Sequence, residues 1–101
     1  MFGIVIDVNV DPQREDEARR MLHEMIVPKA QGHTGFAAGY WLRAVDGDRL
    51  RSLHLFDSQE NAVAAATMIQ AQGPLLGAPV GVRLESVETY ELIAQAQAPE
   101  S

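Results

Sequence analysis

The chain has 101 residues, 47% of them hydrophobic and 22% charged, and this size and balance predict one compact domain with a single core. It contains no cysteine, which excludes thiolate nucleophiles, disulfides and cysteine-ligated metal centres. The formal net charge of −6 repels phosphate backbones and anionic lipid, so we expect no nucleic-acid partner and no membrane partner. The N-terminus shows no basic region typical of a signal peptide, and we expect a cytoplasmic protein.

The first half of the chain predicts a strand, a helix and a second strand. Gly3 to Val10 alternates β-branched residues with a second set, which indicates a strand. Asp11 is a typical N-cap and Pro12 a typical first helical residue. Apolar residues then recur at helical spacing: Ala18, Met21, Leu22, Met25 and Ile26. Pro28 and the stretch from Gly32 to Gly35 predict the end of this helix, and Phe36 to Val45 is predicted as the second strand.

The second half predicts a strand, a helix and a final strand. Asp46 and Gly47 form a hairpin signal, and Arg49 to Asp57 is predicted as the third strand. Ser58 is the expected N-cap of a helix with a small apolar stripe: Ala62, Ala65, Ala66 and Ile69. The Gly and Pro residues of 73–79 predict a loop, and Val80 to Leu92 is predicted as the fourth strand.

The predicted order of elements is βαββαβ, in which one strand–helix–strand unit follows another. This order is typical of the ferredoxin-like α+β fold, an antiparallel sheet with two helices on one face. Right-handed crossovers place the first and third strands at the centre of that sheet. We expect a single domain over residues 1–93 and a flexible C-terminal tail over residues 94–101.

The two central strands are predicted to present two different faces. One face is apolar: Ile4, Ile6, Val8, Leu53 and Leu55. The other is mixed: Val5, Asp7, Asn9, Ser52, His54 and Phe56. Two helices cover only one face, and neither face is a plain polar surface, so a second sheet is expected to cover the other. We therefore predict a homodimer.

Three segments carry a resemblance to a known family. They are Asp11-Pro12 after the first strand, Gly35 to Arg43 with its Gly-Tyr-Trp-Leu-Arg end, and Leu53 to Glu60 at the start of the second helix. From about Phe2 to Leu92 the chain resembles the dimeric α+β barrel superfamily, and within it the antibiotic-biosynthesis-monooxygenase-like domains. The resemblance implies that two four-stranded sheets pack face to face, with a ligand cleft in each subunit between sheet and helices. A charge at Ile6 or Leu55 is expected to destabilise such a barrel.

Asp7 and His54 are the candidate catalytic residues. An antiparallel register that pairs Asp7 with His54 also pairs Val5 with Phe56, which keeps all four on the mixed face. A carboxylate beside an imidazole favours the imidazolium and fixes its tautomer, which prepares a histidine for acid or base catalysis near neutral pH. The pattern favours a structural polar pair, and catalysis by this pair is the alternative hypothesis.

The residues that carry activity in the family match this sequence only in part. In the haem-degrading branch a first-strand Asn and a third-strand Trp occupy the positions that correspond here to Asp7 and Phe56. No His lies between Ser58 and Val82, where that branch has its haem ligand, so haem degradation is not expected.

The quinone-forming branch uses Asn, Trp, Tyr and Arg in the same cleft. This sequence offers Asn9, Tyr40, Trp41 and Arg43, and together with Phe56 these are the predicted substrate-binding residues. Trp41 and Arg43 share one side of the second strand, where they could bind a planar anionic or quinonoid ligand. Packing is the favoured interpretation of the only tryptophan.

No metal site and no cofactor are predicted. His23 is expected at the surface and His33 in a glycine-flanked turn, so the histidines form no close pair. The acidic residues of 15–17 lie on the polar side of a helix, without the spacing of metal ligands.

Two functional hypotheses follow. In the first, a homodimer holds a small aromatic or apolar metabolite and acts as a cofactor-independent monooxygenase or isomerase. His54 would then move a proton, Asp7 would orient it, and Tyr40, Trp41 and Phe56 would shape the site. In the second, the domain is a non-catalytic ligand-binding or assembly module, and Asp7 and His54 are structural.

Overall fold

The computed structural model describes residues 1–99, in which four strands form one antiparallel sheet. The strands are β1 (Phe2–Val10), β2 (Phe36–Arg43), β3 (Arg49–Phe56) and β4 (Val82–Glu91), in the spatial order β2-β3-β1-β4. Two helical segments follow β1 and β3, so the predicted βαββαβ order and the ferredoxin-like α+β fold are confirmed. The two central strands are β1 and β3, as predicted.

The first helical segment continues past Pro28, and its geometry changes three times along its length. Asp11 accepts a hydrogen bond from the Gln13 backbone N–H and so caps a 3₁₀ turn over Pro12–Arg14, as its residue type indicates. The segment continues as α1 (Glu15–Met21), a π-helical segment (Leu22–Ile26) and α2 (Val27–Gln31). The prediction that Pro28 ends the helix is wrong, but the helix does end at Gln31, directly before the stretch from Gly32 to Gly35 that also predicts its end. Pro28 stands inside the continuous helix, directly after the π-helical segment, where the hydrogen bonds already depart from the α-helical pattern.

The π-helical segment also changes which residues face the sheet. A straight α-helix would turn Met25 toward the interior, but Met25 is 47% exposed. Instead, the inward-facing positions recur every four residues: Ala18, Leu22, Ile26 and Ala30. A turn closed by i→i+5 hydrogen bonds holds one residue more than an α-turn, and this extra residue displaces Met25 from the predicted apolar stripe.

The second helix, α3 (Gln59–Gly77), begins where predicted and ends later. Ser58 accepts a hydrogen bond from the Asn61 backbone N–H, which confirms it as the N-cap. The prediction of a loop over 73–79 is wrong, because α3 runs through Gly73 and Pro74 to Gly77. Gly77 allows the helix end to approach β4 closely, since a Cβ there would lie 2.6 Å from the Val82 carbonyl oxygen. A 3₁₀ turn over Ala78–Val80 then leads into β4.

The core lies between α3 and the two central strands. It joins the fully buried Ile4 and Phe56 to the predicted inner stripe of the helix: Ala62, Ala65 and Ala66. Small side chains on α3 let the helix pack close to the sheet. We call the face of the sheet that meets the helices the helix-covered face, and the other the open face.

The register between β1 and β3 differs from the prediction and redistributes the residues between the faces. Ile4 stands opposite His54 and Ile6 opposite Ser52, so the helix-covered face carries Ile4, Ile6, Ser52, His54 and Phe56. The open face carries Val5, Asp7, Asn9, Leu53 and Leu55. The prediction that Ile6 and Leu55 share a face is therefore wrong. A register shift by an odd number of residues moves one strand's whole set of side chains to the opposite face.

The remaining boundaries differ by a few residues. The strand β2 ends at Arg43 and not at Val45, because the hairpin turn begins earlier, and β4 ends at Glu91. Residues 94–99 are exposed and belong to no helix or strand, and the last two residues of the predicted tail lie outside the described residues. Within residues 1–99, no helix combines the length and the apolar character needed to cross a membrane.

Candidate functional site

A cavity of about 160 Å³ lies between the helix-covered face and the helices. Most of its wall is apolar and includes Ile6, Val8, Leu22, Ile26, Leu50 and Leu84. The polar residues in the lining are Lys29, His33, Arg51, Ser52, His54 and Gln72. His54 lies beside the Trp41 ring. A dry apolar cavity of about 150 Å³ is large enough to bind benzene, so this one has room for an aromatic ring.

His54 lies at the centre of the polar part of this cavity. Its side chain is on the helix-covered face and the residue is 3% exposed. The ring nitrogen Nε2 lies 3.0 Å from the Ser52 hydroxyl oxygen, whereas Nδ1 is buried without a hydrogen-bond partner among the described residues. Two aromatic rings stand edge-on around the imidazole, that of Trp41 with its centroid 5.0 Å away and that of Phe36 at 6.3 Å.

Burial sets the charge of the histidines here. Burial is the main cause and the nearby His33 a second one, since a second cation would be repelled, and together they lower the pKa of His54 from 6.5 to about 4. Burial also lowers the pKa of His33, with a contribution from Lys29. Both imidazoles are therefore uncharged at neutral pH, and each carries one N–H donor and one bare nitrogen acceptor.

The predicted pairing of Asp7 with His54 is wrong. Asp7 stands opposite Arg51, three positions from His54, and its side chain lies on the open face. The carboxylate accepts hydrogen bonds from Arg51 Nε at 2.6 Å and from the Ser86 hydroxyl at 3.2 Å. The Arg51 hydrogen bond is the main reason why the pKa of Asp7 is lowered. The sheet separates Asp7 from His54, so the carboxylate cannot orient the imidazole.

The predicted substrate-binding residues are divided among three places. Trp41 lines the cavity, and Phe56 lies beside it in the core, fully buried. Asn9 and Tyr40 are on the open face, where the Asn9 amide donates a hydrogen bond to Glu85 and Tyr40 is 51% exposed. Arg43 lies on the same side of β2 as Trp41 and forms an ion pair of 3.0 Å with Glu15.

A second cleft, of about 350 Å³, lies at the outer end of the same helix–sheet interface. Trp41 lines both the cavity and this cleft and so forms part of the wall between them. At the rim of the cleft the Glu15 carboxylate lies between two guanidinium groups, with Arg43 at 3.0 Å and Arg19 at 3.3 Å. Arg43 thus has a structural partner on α1 and lies outside the main cavity.

Two residues of the site were not predicted as functional. Ser52 follows from the observed register, and its i, i+2 spacing to His54 already indicated that both side chains leave β3 on one face. His33 lies in a turn, as predicted, and it reaches the cavity because α2 continues past Pro28.

The described residues contain no group of three or more His, Asp or Glu side chains arranged to hold a metal ion. The buried groups that the cavity offers for chemistry include the neutral imidazole of His54, the Ser52 hydroxyl and aromatic surface. These groups can hydrogen-bond an oxygen atom and enclose an aromatic ring.

Neither a family model nor a curated protein matches this sequence. Solved structures of similar fold cover nearly the whole chain. The ActVA-Orf6 monooxygenase of Streptomyces coelicolor in complex with nanaomycin D is 13% identical with a TM-score of 0.66, over 98% of this chain and 92% of that one. An antibiotic biosynthesis monooxygenase is 12% identical with a TM-score of 0.71, over 93% and 100% of the two chains.

A mutant of MhuD with two manganese protoporphyrin IX molecules bound per active site is 20% identical with a TM-score of 0.72, over 97% of this chain and 100% of that one. At these identities the likeness establishes the fold. The chain has the antibiotic-biosynthesis-monooxygenase-like fold, as the sequence resemblance implied.

Proposed function

We propose that this chain, built on the antibiotic-biosynthesis-monooxygenase-like fold, binds a small aromatic or apolar metabolite in the cavity between its sheet and helices. The observation that carries this proposal is the cavity of about 160 Å³, which is apolar over most of its wall and has the buried polar side chains of Ser52 and His54 in that wall. Pockets of this composition bind a ligand through apolar contact and orient it through a few polar groups. Two proteins of similar fold are solved with nanaomycin D and with manganese protoporphyrin IX, both ring systems.

Binding is tested with indane, an apolar bicyclic probe, by calorimetry and by NMR chemical-shift mapping. The adjacent pair Leu76 and Leu75 provides a test variant and its control, because Leu76 lines the cavity and Leu75 is 76% exposed. Leu76→Phe is expected to weaken binding about tenfold or more by filling the cavity, and Leu75→Phe to leave it unchanged. Absence of binding to the wild type, or equal binding by both variants, would overturn this proposal.

On such a ligand the enzymatic activity is a cofactor-independent oxidation or an isomerisation. His54 is uncharged at neutral pH, and its contact with the Ser52 hydroxyl gives it a route to exchange a proton with the ligand. In an isomerisation the proton leaves one ligand atom and returns to another. In the oxidation the ligand reacts as its phenolate, dioxygen is the oxidant, and overall a phenol plus dioxygen gives a quinone plus water. Asp7 has no part in either reaction.

Turnover is measured as oxygen uptake with phenols and quinols, and as product formation with lactones. His54→Gln should abolish turnover while the NMR spectrum remains that of a folded protein, and Asp7→Asn should retain it because this side chain is on the open face. Equal turnover in wild type and His54→Gln would exclude the proton-transfer role. Binding of indane without turnover on any of these substrates would instead favour the non-catalytic ligand-binding module.

The functional unit in this proposal is a homodimer that covers the open face. That face exposes large apolar side chains, with Leu42 58% and Tyr40 51% exposed, next to the partly buried Val5 and Leu53. Contiguous apolar patches on a small domain are typical of interaction surfaces. A second copy presents the same patch, so it would bury the apolar residues of both chains.

The dimer is tested by sedimentation of Leu42→Glu at several protein concentrations. Leu42 is already exposed in the single chain, so a charge there should leave the fold intact and dissociate the dimer. Val63→Glu is the control, because Val63 is 46% exposed on α3 and away from the open face. A monomeric wild type at high concentration, or a Leu42→Glu variant that sediments as a dimer, would refute this assembly.

A further inference from the structure

The Ser52 hydroxyl and the His54 imidazole can form more hydrogen bonds than the single one between them. Ser52 is 6% exposed, and its hydroxyl lies in the cavity wall with the His54 nitrogen Nε2, 3.0 Å away, as its hydrogen-bond partner. Only one hydrogen can lie between these two atoms. The ring nitrogen of His54 that carries the proton decides two things. It decides whether the Ser52 hydroxyl can still donate a hydrogen bond, and whether Nδ1 is a donor or an acceptor.

The burial of Nδ1 favours one of the two tautomers. Nδ1 has no hydrogen-bond partner among the described residues, and a buried N–H donor without an acceptor is more costly than an unpaired acceptor. The proton therefore belongs on Nε2, which donates it to the Ser52 oxygen. Ser52 Oγ then accepts from His54, and its own hydroxyl hydrogen is left to point elsewhere.

We infer that the Ser52 hydroxyl donates a hydrogen bond to an oxygen atom of the bound ligand, which selects aromatic ketones, quinones and phenolate or enolate anions. The residues that stand opposite Ser52 on β1 and β2 are Ile6 and Trp41, and neither offers an acceptor side chain. A ligand acceptor would satisfy a buried donor in surroundings of low polarity, where such a bond is strong. The inference rests on the proposed ligand-binding function and names its ligand class.

Ser52 is thus a ligand-binding residue, and His54 is its positioning residue. The Nε2–H group fixes the rotation of the Ser52 hydroxyl by occupying one of its lone-pair positions. The reverse tautomer would have the opposite effect. Ser52 would then donate to Nε2 and present only a lone pair, which would select ligands that donate an O–H or N–H group.

The first test is ¹⁵N NMR of the wild-type histidine side chains near neutral pH, which distinguishes the two neutral tautomers by the shifts of Nδ1 and Nε2. We expect His54 to carry its proton on Nε2. A proton on Nδ1 would overturn the inference without any variant or ligand.

The second test uses two probes that differ by one oxygen, 1-indanone and indane, and compares their affinities by calorimetry. Ser52→Ala is expected to weaken 1-indanone about 3- to 10-fold and to change indane little, because only the ketone accepts the hydrogen bond. Ser86→Ala is the control, since it removes a hydroxyl from the open face, where Ser86 donates to Asp7.

The outcomes separate this inference from the function on which it rests. If neither probe binds the wild type, the proposed ligand-binding cavity fails and the inference fails with it. If both probes bind, and Ser52→Ala weakens the binding of both equally or of neither, the ligand-binding function is supported and the role of Ser52 is refuted. If Ser52→Ala does not fold, the tautomer measurement on the wild type still decides.

Discussion

Acid should destabilise this protein through the buried imidazole of His54. The pKa of His54 is about 4 in the folded chain, against an ordinary value of 6.5 that applies once the chain is unfolded. Between these values the unfolded state binds more protons than the folded state, so the free energy of unfolding falls as the pH drops. From about pH 8 to about pH 4.5 this one residue should remove roughly 2.5 kcal/mol of stability.

The assay is urea unfolding at a fixed protein concentration, followed by the fluorescence of the single tryptophan, Trp41, in the cavity wall. His54→Gln keeps a hydrogen-bonding side chain that does not titrate, so its stability should decline less over the same pH range, by roughly 2.5 kcal/mol. The two proteins are compared by how steeply the free energy of unfolding changes with pH, so any pH-independent loss of stability caused by the substitution cancels. His23→Gln is the control, because His23 is exposed and lies outside the cavity lining.

Two other groups also make the stability depend on pH, one in this pH range and one in a lower range. His33 contributes in the same direction as His54, because its pKa is also lowered. The carboxylate of Asp7 also has a lowered pKa, so its stabilising effect is lost only as the pH falls toward and below its ordinary value of 3.8. Identical slopes for wild type and His54→Gln, or an NMR titration of His54 near 6.5, would refute the account of a desolvated neutral imidazole.

Three further substitutions test the packing and the faces of the sheet. Phe56→Ala should lower the free energy of unfolding by about 3 to 5 kcal/mol in urea titration, because Phe56 is fully buried in the core, and a loss below about 1 kcal/mol would contradict this. Gly73→Ala should raise it by roughly 0.5 to 1 kcal/mol, since the new Cβ on α3 meets nothing closer than Leu84 Cδ2 at 3.4 Å, and destabilisation would show that this approach is too tight. Asp7→Asn should leave the NMR titration of His54 unchanged, whereas a shifted titration would restore the pairing that the structure rejects.

The order of the elements could be predicted from the sequence because each element carries its own local signal. Alternation marks the strands, and caps at Asp11 and Ser58 mark the helix starts. The helix ends were less predictable, since Pro28 and Pro74 both stand within helical segments in the structure. Pro28 follows the π-helical segment directly, where the hydrogen bonding already departs from that of an α-helix, and Pro74 stands in an exposed part of α3.

The register between β1 and β3 could not be predicted, because no turn joins these two strands. The first helical segment and β2 lie between them in the chain, so no tight turn sets their alignment. Alternation gives no answer either, because both faces contain apolar residues, such as Ile4 on one and Leu55 on the other. The predicted composition of the site depends on this register. The sequence indicates His54 as a candidate, but the wrong register gives it Asp7 as a partner and leaves out Ser52.

The π-helical segment over Leu22–Ile26 lets the first helical segment gain or lose one residue without a change in the rest of the fold. Its wider turn accommodates one extra residue while α1 and α2 on either side keep their orientation toward the sheet. Deletion of one exposed residue there, such as Glu24, would restore a plain α-helix without rotating Ala18 or Ala30 out of the interior. The roof of the cavity could thus change shape by gain or loss of a single residue, with the sheet beneath it and the core around Phe56 left as they are.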